Sequence, residues 1–155
     1  MTAFAAADTP SRHAELVAQA HAARLRAYAP YSGYQVGAAL LTSGGQTFTG
    51  GNVENTSYGL TVCAERVAVF SAVVAGALPS ASIVAVAVAT QDAGTPCGAC
   101  LQVLAEFAPA EGTMMVLLAS ADGGVRETTL SALLPDAFRL RAVPLPGQQQ
   151  PASAP

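Results

Sequence analysis

The sequence predicts an α/β domain in which one mixed β-sheet carries helices on both faces. Two patterns and the composition carry that expectation. Five short apolar or alternating stretches read as strands, and stretches of helical period interleave with them in the order α-β-β-α-β-α-β-β. The first two strands are joined by a tight turn, whereas later strands alternate with helices, which gives a sheet of mixed direction covered on both sides. The chain has 155 residues, of which 52% are hydrophobic and 11% charged. That length holds one substantial core and not two.

The elements follow from the residues in order. Thr9-Pro10 reads as a helix cap followed by proline in the first turn. From Ser11 to Tyr28, Leu16, Val17, Ala20, Ala23, Leu25 and Ala27 recur near helical spacing, and Pro30 ends the helix. Val36–Leu41 is a continuous apolar run, as expected of a strand buried on both faces. Ser43-Gly44-Gly45 is a hairpin turn, and Gln46–Gly50 alternates as a more exposed strand. Residues 51 to 59, Gly-Asn-Val-Glu-Asn-Thr-Ser-Tyr-Gly, form a polar loop in a chain short of polar residues. Its place just before a cysteine points to ligand contacts more than to a plain turn.

A second helix is expected from Thr61, as its cap, to Gly76. Ile83–Ala89 is a buried strand of alternating Val and Ala, and Thr95-Pro96 opens a third helix over Gly98–Phe107. Thr113–Ala119 is a further buried strand, Asp122-Gly123-Gly124 a turn, and Val125–Thr129 an edge strand. A short helix after Thr129 is stopped by Pro135. The expected domain covers residues 1–142, and the Pro- and Gln-rich residues 143–155 read as a disordered tail.

The chemistry concentrates in three cysteines and one glutamate. They occur as Cys63-Ala64-Glu65 and Pro96-Cys97-Gly98-Ala99-Cys100, and the chain has no other cysteine. An odd number cannot all pair as disulfides. Three thiolates fill three corners of a tetrahedral zinc site and leave the fourth open, the mark of a catalytic site over a structural one. Glu65 lies two residues after the first ligand, where it can stand beside the open corner without binding the metal. A thioredoxin-like redox pair needs neither the third cysteine nor Cys-Ala-Glu. A structural zinc module needs a fourth protein ligand; His13 and His21 lie eight apart on the first helix, in no ligand motif. Two helices begin at these cysteines, so their dipoles favour the thiolates.

Other function classes are disfavoured. The net charge is −3, there is no lysine, and the seven arginines are scattered. Binding a phosphate backbone needs clustered cations, so a polynucleotide-editing enzyme is not expected, and a small neutral substrate fits better. No apolar run reaches the roughly 20 residues that span a bilayer, and the N-terminal residues lack a basic signal segment. Reduced thiols without a signal lead to the expectation of a cytoplasmic protein with no membrane partner.

Cys-x-Glu followed by Pro-Cys-x-x-Cys is the pattern recognised for zinc deaminases as a class. Four motifs narrow it. Tyr31-Ser-Gly-Tyr34-Gln-Val-Gly-Ala-Ala-Leu40, Gly51 through Arg66, Pro96–Cys100 and Leu133-Leu-Pro-Asp-Ala-Phe138 together resemble the small homotetrameric cytidine deaminases, in order and over nearly the whole span from Ala14 to Phe138. The resemblance implies a three-layer α/β/α sandwich with a mixed five-stranded sheet and one Zn²⁺ per subunit. It implies hydrolysis of cytidine and deoxycytidine to uridine and deoxyuridine with release of ammonia, and active sites shared between subunits of a tetramer.

Residue by residue, the resemblance makes Cys63, Cys97 and Cys100 the metal ligands and Glu65 the proton shuttle. Arg66 resembles the arginine that hydrogen-bonds the ligand thiolates and offsets the net −1 of a zinc held by three of them. Asn52 and Glu54 would bind the ribose hydroxyl. Tyr34 stands where relatives usually carry a phenylalanine stacking near base and sugar. Ala64 and Cys97 would offer backbone groups to the pyrimidine edge. Phe138 would enter a neighbouring subunit's pocket, and Thr56 and Tyr58 would reach across an interface towards the 5′ side. Leu101 departs from the pattern, because relatives usually have arginine after the second cysteine of the pair. Deaminases of modified nucleosides, such as blasticidin S deaminase, share the metal ligands but differ in the sugar loop. The intact Asn52-Val-Glu54-Asn segment favours ordinary ribosides.

Overall fold

The computed structural model describes residues 9–109 and 111–139. The expected tail, residues 143–155, lies outside them. Helix α1 spans Thr9–Arg24, followed by strands β1 (Gly37–Thr42) and β2 (Thr47–Gly51). A single 3-10 turn, Tyr58–Leu60, precedes helix α2 (Ala64–Val74). Strand β3 (Ile83–Ala89), helix α3 (Gly98–Phe107), strands β4 (Met115–Ala119) and β5 (Val125–Thr129), and one turn of helix α4 (Leu130–Leu133) complete the order. The strands form one sheet in the order β2-β1-β3-β4-β5. β3 and β4 run parallel, and every other neighbouring pair is antiparallel.

Two cores lie on opposite faces of the sheet. Alternate residues of β1 and β3 divide between them, as the period of two demands. Ala39, Leu41, Ala85, Ala87 and Ala89 pack with Leu16 and Ala20 of α1. Ala38, Leu40, Val86 and Val88 pack with Ala68, Val69 and Ala72 of α2 and with Leu104 and Ala105 of α3. The alanines of β3 thus face the helix that lies close, and Val86 and Val88 face the thicker layer. The alternation breaks at the start of β3, where Ile83 joins the α2/α3 core. The register with β1 shifts there, between Leu41 and Thr42, so one irregularity returns Ile83 to the larger core.

Close helix–sheet approach also explains two strand glycines. A Cβ on Gly37 would stand 2.1 Å from the Ala20 carbonyl oxygen, and one on Gly50 would stand 2.5 Å from that of Ala64. Any side chain at Gly50 would lift α2, and with it the site residues at its start.

Helix boundaries differ from expectation in two places. α1 ends at Arg24, before the expected Tyr28. Tyr28 instead pairs with the strand-like segment after β2, accepting from the Glu54 amide and donating to the Asn52 carbonyl. α2 begins at Ala64 with Cys63 as its cap residue, so Thr61 is not the cap. Reciprocal hydrogen bonds between Val53 and Val62 hold the chain extended just before the helix. That pairing competes with an earlier helix start and wins.

The topology brings three segments to one sheet edge. Gly37 pairs with both Gly51 and Ala89, so the segment entering β1, the one leaving β2 and the one leaving β3 emerge side by side. The C-terminal end of β3 is also where parallel and antiparallel pairing meet, the usual place for a ligand crevice in such sheets.

Candidate active site

Both helix starts that face this edge are cysteines. Cys63 precedes α2 and Cys97 precedes α3, each in extended conformation, and Cys100 lies one turn into α3. The three sulfurs lie within 4.8 Å of one another, with 3.5 Å between those of Cys97 and Cys100. Thiolates 2.3 Å from a common tetrahedral centre stand about 3.8 Å apart, so the triad has the spacing a zinc needs. No other group of three such donors lies this close among the described residues. The cluster combines sulfur donors with two helix N-termini, whose partial positive charge favours the anionic form.

The thiols are electrostatically distinct. Cys63 is pulled down to about 5, chiefly by the hydrogen bond from Cys100 and then by Arg66. Cys100 is pushed up, because it donates that bond and is also buried. One Arg66 Nη2 donates to the Cys63 sulfur at 3.5 Å and to the Thr61 carbonyl at 3.2 Å. The guanidinium therefore ties the chain before α2 to the cluster and offsets its charge.

Glu65 is buried, with 3% of its surface exposed, yet it lines the same cleft as Cys63 and Cys97. Burial raises its pKa above the usual carboxylate range, and the nearby negative charge of Cys63 pushes the same way. A carboxyl so placed holds a proton more readily than an exposed one. The cleft measures about 250 Å³ and is also lined by Tyr34, Val36, Asn52, Glu54, Val88, Thr90 and Gly94.

A matching family model covers residues 10–116: the cytidine and deoxycytidylate deaminase zinc-binding region.

The chain belongs to that family.

Curated relatives agree. A cytidine deaminase of Sporosarcina psychrophila is 47% identical over 124 residues, 80% of this chain and 89% of that protein. One from Halalkalibacterium halodurans is 49% identical over 125 residues, 79% and 91% of the two. Among solved structures, the cytidine deaminase of Burkholderia pseudomallei matches with a TM-score of 0.75 at 50% identity, covering 81% of this chain and 98% of that one. The Mycobacterium tuberculosis enzyme matches with a TM-score of 0.66 at 37% identity, covering 83% and 98%. The cofactor of this deaminase is Zn²⁺, which the three-sulfur cluster is built to hold.

The other residues singled out in the sequence divide into two groups. Tyr34, Asn52 and Glu54 line the cleft with Cys63, Cys97 and Glu65. Asn52 is buried and braced at both ends: its Nδ2 donates to the Tyr34 carbonyl at 3.0 Å, and its Oδ1 accepts from the Val36 amide at 2.8 Å. Glu54 accepts from the backbone amides of Tyr31 (2.8 Å) and Ser32 (3.2 Å) and from the Ser32 hydroxyl. The Ser32 hydroxyl bond is the main reason its pKa falls, so it stays a carboxylate. Ala64 is fully buried at the start of α2, which leaves only its backbone for any contact.

Thr56, Tyr58 and Phe138 stand apart from the cleft. Tyr58 lines a neighbouring hollow of about 440 Å³, which shares Ser32, Glu54 and Thr61 with the cleft. Its ring packs edge-on against Tyr31, with centroids 6.2 Å apart. Thr56 is exposed on the same loop. Phe138 is 68% exposed, and its backbone is clasped by Gln102, which accepts from its amide at 3.1 Å and donates to its carbonyl at 2.7 Å. Leu101 is buried in the α2/α3 core. Its place in this chain is thus a packing position.

Sequence reasoning missed Ser32, Thr90, Asp92 and Gly94. Thr90-Gln-Asp-Ala-Gly94 is a polar run directly after an apolar strand and just before a ligand cysteine. That was an available signal.

Proposed function

We infer that the protein converts cytidine and deoxycytidine to uridine and deoxyuridine by hydrolysis, releasing ammonia. The single observation that carries this reading is a buried glutamate sharing a cleft with a three-sulfur metal site, in a chain of the cytidine deaminase family. Water adds at C4 of the base, and the C4–N4 bond breaks. When bound, Zn²⁺ supplies Lewis-acid activation, acidifying water enough for attack at neutral pH. Glu65 takes up the proton that water loses, gives one to ring N3 as C4 becomes tetrahedral, and helps protonate the departing amine. The balance closes as nucleoside plus water giving deaminated nucleoside plus ammonia.

Cys63, Cys97 and Cys100 hold the metal, and Arg66 offsets their charge through its bond to the Cys63 sulfur. Asn52 and Glu54 are the sugar contacts. Glu54 is half-buried at the cleft, and a sugar hydroxyl can join its ring of donors. Loss of that partner penalises a substrate without the sugar, so free cytosine is a poor substrate. Tyr34 walls the base and sugar, and the backbones of Ala64 and Cys97 meet the pyrimidine edge.

The enzyme acts as a homotetramer, with Phe138, Thr56 and Tyr58 serving a neighbour's cleft. Two features support this assembly. Phe138 and Tyr58 are held by neighbouring residues yet largely exposed. An apolar groove of about 680 Å³ also lies open along α2, lined by Val53, Val62, Val67, Phe70 and Val74. Val74 is 89% exposed there. Burying one such side chain contributes about 1.5–3 kcal/mol, reason enough for a second subunit to cover it. Residues 1–142 form the catalytic domain, and the enzyme works in the cytoplasm in pyrimidine salvage. No helix among the described residues is long and apolar enough to cross a membrane.

The test is an ultraviolet assay on purified protein with cytidine, deoxycytidine and cytosine, before and after zinc chelation. Turnover of both nucleosides, little of the base, and loss on chelation restored by zinc is the expected result. Full activity after complete metal removal would sink the reading.

A further inference from the structure

The two walls of the cleft come from different parts of the chain. One is the segment 32–36 entering β1, and the other is the segment 90–97 leaving β3, which ends in the ligand Cys97. They are tied at the mouth by a single short hydrogen bond, from the Tyr34 hydroxyl to Asp92 Oδ1 at 2.5 Å. Asp92 is itself held. Its Oδ1 also accepts from the buried Thr90 hydroxyl at 3.2 Å, and that hydroxyl accepts from the Gly94 amide at 2.7 Å. The Tyr34 oxygen rests so closely on the loop that a Cβ on Gly94 would stand 2.9 Å from it. Gly94 has no left-handed backbone requirement, so this close approach is what calls for glycine here.

A second tie makes the first separable from folding. Arg24 donates through Nε to the Gln35 carbonyl and through Nη2 to Gln91 Oε1, both at 2.9 Å. It bridges the same two segments on the α1 side. Removing the Tyr34 hydroxyl therefore frees a ring and a loop tip without parting the walls.

We propose that Tyr34, Asp92 and Gly94 form a latch that fixes the width of the nucleoside cleft, with Asp92 and Gly94 as positioning residues for the substrate. The proposal rests on the deaminase reading and deepens it. The latch holds the Tyr34 ring in one place against the bound base and sugar, so the ring need not be ordered when substrate arrives. It sets how well the nucleoside binds; proton transfer stays with Glu65. The polar end of a tyrosine at a cleft wall needs such a partner, which a phenylalanine would not.

The experiment is a set of variants assayed for kcat and KM with cytidine, for uridine affinity by calorimetry, and for zinc per subunit. Y34F and D92A should each raise KM about tenfold, the scale of one intramolecular hydrogen bond. Zinc content and kcat should stay near the parent's, and uridine affinity should weaken in step. Y34F/D92A should be no worse than the worse single variant. D92N should largely retain parental KM, because an amide carbonyl still accepts the bond. G94A should raise KM in the parent, where its methyl meets the tyrosine oxygen, but have little further effect in the Y34F background. Additive losses in both double variants, or an unchanged KM in Y34F, would overturn the latch while leaving an active deaminase. A parent inert towards cytidine would overturn the deaminase reading and the latch with it.

Discussion

The floor and the rim of the cleft are built on different principles. The floor holds Cys63, Glu65, Cys97 and Cys100, at or next to the first turns of two helices packed on the sheet. Its parts lie within one chain, and Glu65 is almost fully buried. The rim is made of loops. Tyr34 is 40% exposed and Tyr58 78% exposed, and Phe138 does not line its own chain's cleft. Bond-making needs tolerances of tenths of an ångström, which helix starts on a rigid sheet provide. Recognition of a sugar and base tolerates more, and loops can supply it; in the proposed tetramer a neighbour would complete part of it.

That contrast can be broken most sharply at the floor. E65Q should keep one zinc per subunit and lose turnover by about 10²–10⁴-fold, the range for a general acid–base group. Metal analysis alongside kcat checks it, and substantial activity in a zinc-loaded E65Q enzyme would remove Glu65 from its role.

The rim is tested next by mixing subunits. If Phe138 serves a neighbour's cleft as proposed, F138A should be impaired through KM, because its own floor is intact. When F138A and E65Q proteins are dissociated and reassembled together, activity should exceed the sum of the separate parents. The E65Q subunits then lend Phe138 to working floors. Activity no greater than that sum would place Phe138 outside a neighbour's site.

Asn52 joins rim to floor and should show a mixed effect. N52A leaves the half-buried Val36 amide without its 2.8 Å partner, at a cost of about 1 kcal/mol. A lower melting temperature together with a raised KM is expected. A change in KM with unaltered stability would argue that its braces to Tyr34 and Val36 are idle.

Arg66 acts on the metal and leaves the substrate contacts in place. R66Q keeps a donor near the Cys63 sulfur but removes the charge. Zinc affinity, followed by competition with a chelator, should fall about 10–100-fold, the usual scale for partners of metal ligands. Tight zinc in R66Q would mean that the helix dipoles alone balance the thiolates.

Much of this was legible along the chain because it is local. The alternating Val and Ala of Ile83–Ala89, the hairpin at Ser43-Gly44-Gly45 and the start of α3 after Pro96 each depend on a few neighbouring residues. The metal ligands were legible for another reason, since thiols at fixed spacing have few uses. The start of α2 and the end of α1 were misplaced because Val53–Val62 and Tyr28–Asn52 pairing overrode local propensity. Asp92 was overlooked because its partner lies 58 residues away.

The sequence by itself determined the strand and helix order, the sulfur donors, the acid beside them and the family. Only the tertiary structure decided that the segments before β1, after β2 and after β3 share one edge, that Asn52 braces a wall, and that Tyr34 reaches Asp92. The physical reason is range. Periodicity and spacing act over a few residues, whereas a cleft is defined by sheet register, which brings Gly37, Gly51 and Ala89 side by side from distant parts of the chain.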